Sequence, residues 1–136
     1  MREILFRGKR KDNGEWEQGF LIGRYDPMQK DNVIKYAYID NGTCIYDAVE
    51  IIPETIGQYT GLTDKNGKKI FEGDIVRTLA PCSIDKYIKG VVVFGEYSTS
   101  YQSSNVGCYV NWSLNKNLAM YCKMNDIEII GNIHDL

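Results

Sequence analysis

The sequence is poor in the residues that build active sites. It has a single histidine, His134, placed near an end expected to fray, and 4 cysteines, Cys44, Cys82, Cys108 and Cys122, that never form a CxxC pair. With one histidine and only Asp135 beside it, neither a Ser-His-Asp arrangement nor a histidine metal site is expected. No apolar run approaches the ~20 residues of a membrane helix, and the short Ile4-Leu5-Phe6 run falls well short of a secretory core region. Scattered cysteines without a secretory context read as reduced, buried thiols in a cytoplasmic protein. The net charge is slightly negative at −2, and a purely electrostatic nucleic-acid binder is not expected.

What is present is the composition of a folded domain. The 136 residues are 43% hydrophobic and 25% charged, enough for a single domain spanning 1–136 that buries about two-thirds of its unfolded surface. The 10 tyrosines favour strands and also surfaces with one apolar and one polar side.

Asn-Gly pairs punctuate the first half. Asn13-Gly14, Asn41-Gly42 and Asn66-Gly67 each separate apolar, alternating segments, and both residue types enter positive φ at little cost. The first pair joins EILFRGKRK to EWEQGFLIGRY, in which Trp16, Gln18, Phe20 and Ile22 share one face at period two. The second joins VIKYAYI to TCIYDAVEII, and the third joins GQYTGLTD to KKIFEGD. The segments DIVRTL, GVVVFGEY, GCYVNWSL, LAMYCKM and DIEIIGNI continue the strand pattern, and Pro53 favours a short helical turn. The fold expected is mainly β, with antiparallel hairpins forming a small barrel-like or pseudobarrel sheet and little helix.

Two segments read as loops, residues 24–32 and residues 95–107. The second is rich in Ser, Tyr and Asn, and Tyr97, Tyr101 and Gln102 make it a candidate binding loop, although a merely mobile excursion explains the same composition. DAVEIIPETIG and NDIEIIGNIHD form a faint internal echo, consistent with two equivalent strands.

The stretch PETIGQYTGLTDKNGKKIFEGDIV resembles the central signature of the YopX family, small proteins of bacteriophages and prophages. REILFRGKRKDNGEWEQGFL resembles the family's opening, and DIEIIGNIHDL its closing strand. The resemblance implies a mainly β fold, a phage or prophage origin and a cytoplasmic location. It carries no catalytic residue with it. The signature itself reads as architecture: Gly57, Gly61, Gly67 and Gly73 suit corners or close approaches, while Asp64 and Asp74 suit turn amides.

Three functional readings compete. An enzyme would have to use Glu72 and Asp74, the one close acid pair of the signature, yet Lys stands where a calcium loop needs oxygen ligands; no enzyme, cofactor or metal is expected. A nucleic-acid patch could combine Arg7, Arg10, Lys11 and Trp16 with Lys68 and Lys69 of the third turn, although turn lysines also keep sheet edges soluble. The reading preferred on sequence is a non-enzymatic accessory protein that associates with itself, or with a host or phage protein, and has no membrane role.

Overall fold

The computed structural model describes residues 3–25, 28, 34–42, 48–79, 86–97, 105–111, 118 and 127–135. They are mostly strand: β1 Phe6–Lys9, β2 Trp16–Tyr25, β3 Ile34–Asp40, β4 Val49–Ile51, β5 Gly57–Thr63, β6 Lys69–Phe71, β7 Asp74–Leu79, β8 Tyr87–Tyr97, β9 Asn105–Val110 and β10 Glu128–Asn132. Short 3-10 turns follow β4 at Pro53–Thr55 and β10 at Ile133–Asp135. Every registered strand pair is antiparallel. The expectation of a mainly β chain with little helix holds. The described strands form open sheets, and none closes into a barrel.

The chain divides into two compact units, residues 1–59 and 60–136. In the first, β4, β3, β2 and β1 lie side by side in that order, and β1 also pairs with the start of β5, Phe6 opposite Gln58 and Arg7 opposite Gly57. Its core is Ala37, Ile39 and Ile51, with Leu21 and Ile56 packed against them. Cross-strand partners share a face, so Leu21 opposite Ile39 and Ala37 opposite Ile51 define the inner face. Gly8 is needed there because a Cβ at this position would run into the Ile51 side chain.

In the second unit the order is β10, β7, β8, β9. Its core is Ile70, Val76, Val92, Val110, Leu118 and Ile127, with Leu62, Ile88, Cys108 and Ile129 packed against it. The β-branched run expected to be buried thus supplies Val92, while its neighbours Val91 and Val93 are half-buried on the opposite face.

The first and third Asn-Gly hairpins form where the sequence places them; β3 and β4 also pair, with Ile39 opposite Val49, but residues 43–47 after Asn41-Gly42 lie outside those described. In the third, Gly67 sits at φ +80, its amide donates to the Asp64 carbonyl at 3.0 Å, and the Asp64 amide donates to the Lys68 carbonyl at 2.8 Å. The loop expected over 95–107 is shorter than its polar composition suggested. Gly95 pairs with Gly107, Glu96 with Val106 and Tyr97 with Asn105, so the β8–β9 ladder runs into the polar residues. The ladder joins backbones and needs no apolar side chains. Likewise, β2 continues through Arg24 to Tyr25, where loop was expected.

The internal echo has a structural counterpart. Within its own unit, each copy is a strand followed by a 3-10 turn, and β4 and β10 each end a row of strands.

Candidate functional site

The signature residues come first, because their geometry decides what they can do. Asp64 is buried in the third turn. Its Oδ1 accepts the amides of Asn66 and Lys68, both at 2.9 Å, and its Oδ2 accepts the amide of Ile129 at 3.1 Å. Lys65 completes the attachment, its amide donating to the Ile127 carbonyl at 2.9 Å and its Nζ lying 3.6 Å from Glu128. Asp74 is 1% exposed at the start of β7; Oδ2 accepts the Phe71 amide at 2.9 Å and Oδ1 accepts Nδ2 of Asn132 at 3.0 Å. A buried carboxylate must have its lone pairs met, and here backbone and amide donors meet them.

The glycines of the signature divide by conformation. Gly61 and Gly73 take φ +85 and +89, a region open chiefly to glycine, whereas Gly57 is buried in strand opposite Arg7. Gly73 also sits where chains meet: its amide donates to the Val92 carbonyl at 2.8 Å and its carbonyl accepts the Ile133 amide at 3.0 Å. Asp64 and Gly73 therefore tie the middle of the sequence to its closing strand.

The basic residues of the first hairpin fall into two sets. Arg10 is committed to acids: Nε and Nη2 donate to the two oxygens of Asp12 at 3.0 and 2.9 Å, and Nη1 lies 3.7 Å from Glu17. The hydrogen bond to Asp12 strengthens the proton affinity of Arg10 and holds the Asp12 carboxyl below its ordinary range. Lys11 reaches Glu50 at 3.4 Å across a shallow groove that Asp12 and Val49 also line. Arg7 and Lys9 stand over the ring of Trp16, at 4.5 and 5.5 Å from its centroid. Lys68 and Lys69 lie in the second unit, Lys68 exposed at the third turn and Lys69 half-buried at the start of β6.

Register extends the Trp16 cluster into a surface. Arg7 faces Gln18, Lys9 faces Trp16, Phe20 faces Asp40, Ile22 faces Tyr38 and Arg24 faces Tyr36. These residues alternate with the inward set along β1, β2 and β3, so they occupy the outer face of the first unit's sheet. Phe20 is 60% exposed and Tyr36 47% exposed, while Trp16, Ile22 and Tyr38 are half-buried. The acids of this face already hold partners: Asp40 accepts the Gly42 amide at 2.9 Å and Glu50 pairs with Lys11. The sequence placed Trp16, Gln18, Phe20 and Ile22 on one face; it did not reveal Tyr36, Tyr38 or Arg24 as their neighbours. The pointer was parity, since aromatic residues alternate in both WEQGF and YAY.

Of the candidate binding loop, Tyr97 is a strand residue paired with Asn105; Tyr101 and Gln102 lie outside the described residues. Among the described residues no three His, Cys, Asp or Glu side chains are grouped to hold a metal, and no helix is long and apolar enough to cross a membrane.

The model of the YopX protein family matches residues 5–136. A crystal structure of protein EF1440 from Enterococcus faecalis is similar in fold, with a TM-score of 0.59 and 22% identity over 99% of this chain and 96% of that one. Comparison with curated proteins gives no significant match.

Proposed function

The chain belongs to the YopX family, and we propose that it is a non-enzymatic phage or prophage accessory protein of the cytoplasm that works by binding another macromolecule through the outer face of its first sheet. One observation carries the reading. Phe20 and Tyr36 expose large rings on paired strands, on the same face as Trp16 and the two cations over its ring. Exposed aromatic groups that persist on a sheet, rather than on a loop, are typical of a contact surface.

Two acids of the signature, Asp74 and Asp64, support the same reading. Asp74 is buried and spends its oxygens on Phe71 and Asn132, and Asp64 spends its own on three amides. A general base needs a lone pair aimed at substrate. Association with itself belongs to the proposal as well, through strands that end a sheet, such as β4.

The test is a photoactivatable side chain at position 20, with one at the exposed Glu54 as control, alongside native mass by light scattering. Adducts at position 20 and not at 54 are expected. If neither position forms an adduct with any macromolecule in cells expressing the protein, the binding reading fails.

A further inference from the structure

We infer that the occupant of this outer face is single-stranded nucleic acid, an assignment that rests on the binding reading above and names its partner class. Three features of the face carry it. First, Phe20 and Tyr36 expose their rings from adjacent strands with Tyr38 between them, and stacking on such rings accepts any base. Second, Arg7, Lys9 and Arg24 share the face with those rings, Arg7 and Lys9 lying within 5.5 Å of the Trp16 centroid. A stacked base and its phosphate are joined covalently, so ring and cation must be neighbours for both to be met. Lys11 offsets Glu50, and Arg7, Lys9 and Arg24 outnumber Asp40, so the face carries a positive excess.

Third, the face is an open sheet, the form on which unpaired bases spread, whereas a duplex keeps its bases stacked on one another. A second copy of the chain fits less well. A two-fold contact through this face would bring Arg7, Lys9 and Arg24 of one copy towards the same residues of the other, and like charges oppose such a contact. The whole chain is slightly acidic at −2, so binding is expected to be modest and sensitive to salt. With three cations engaged, log affinity should fall against log salt with a slope of about −2.

The experiment is fluorescence anisotropy of labelled dT15 and U15 oligonucleotides with the full chain, at low and rising salt, with a duplex of the same length as competitor. Binding that follows the expected salt slope, prefers the single strands, and weakens about tenfold or more in both Phe20→Ala and Tyr36→Ala supports the inference. Because both rings are exposed, the variants should melt as the wild type does, which circular dichroism verifies. Failure of the wild-type chain to bind either oligonucleotide at low salt overturns the inference. So does binding that survives both ring variants but is lost in a Lys68→Ala, Lys69→Ala double variant, which would move the site to the third turn. If position 20 cross-links protein while dT15 and U15 do not bind, the partner class is wrong and the binding reading stands. If position 20 cross-links nothing, that reading falls too.

Discussion

Asp64 and Ile129 lie 65 residues apart, and the carboxylate of the first accepts the backbone amide of the second at 3.1 Å. The same carboxylate holds the amides of Asn66 and Lys68 with its other oxygen. One buried side chain thus shapes the third turn and fastens it to β10. Replacing it with asparagine keeps the shape but leaves a single acceptor oxygen and turns an NH2 group towards donors. We expect Asp64→Asn to lower unfolding stability by about 2–3 kcal/mol, read by urea denaturation. A loss below about 0.5 kcal/mol, the range of an ordinary surface change, would refute this role.

Asp74 and Asn132 should be coupled. Their 3.0 Å bond is buried, and either truncation strands the remaining partner. A double-mutant cycle with Asp74→Ala and Asn132→Ala should return a coupling energy of about 1–2 kcal/mol. Strict additivity would mean that the two residues act separately.

Gly8 and Ile51 approach closely in the first unit's core. A Cβ at position 8 would overlap Cγ2 of Ile51, so Gly8→Ala should destabilise by about 1–3 kcal/mol. The penalty should shrink in an Ile51→Ala background, where that methyl group is gone. Thermal melts of the four proteins decide; an equal penalty in both backgrounds would point to another cause.

Glu128 supplies a pH-dependent contact in the second unit. The hydrogen bond from Arg77 at 2.9 Å, helped by the charges of Arg77 and Lys65, holds its carboxyl below the ordinary range against a smaller opposing effect of burial. A carboxyl lowered on folding stabilises the protein above its unfolded-state pKa, and the contribution fades as pH falls through the lower, folded value. Arg77→Gln should therefore move the Glu128 midpoint upwards in a carbon-13 carboxyl titration and flatten stability across that acid window. An unmoved midpoint would show that Arg77 is not the cause.

Much of the secondary structure was legible in the chain. Asn13-Gly14 and Asn66-Gly67 mark their hairpins because positive φ is a property of the residue and its immediate neighbours. The strand at GVVVFGEY was legible for a similar reason, since β-branched side chains restrict their own backbone. The length of the β8–β9 ladder was not. Tyr97 and Asn105 look like loop residues by composition, but they extend a pairing begun by Val92 and Val110.

The candidate site was half legible. Arg7, Trp16 and Phe20 could be placed near one another from one hairpin, and Arg10 and Lys11 looked equally available. Only the fold paired Arg10 with Asp12 and Lys11 with Glu50, while it stacked Arg7 and Lys9 on Trp16.

The sequence by itself determined the turns, the strands and the antiparallel pairing of near neighbours, because each depends on backbone preferences spanning only a few residues. Tertiary structure alone decided which side of β2 is covered. Either parity carries apolar groups, Leu21 on one and Trp16, Phe20 and Ile22 on the other, and hydropathy favours burying the second. The inner side went instead to Gly8, Gly19 and Leu21, because Ile51 presses on Gly8 and the Asp40 backbone on Gly19, leaving no room for larger side chains. Burial is a contest between distant segments for the same space, and that contest put Phe20 and Tyr36 on the surface.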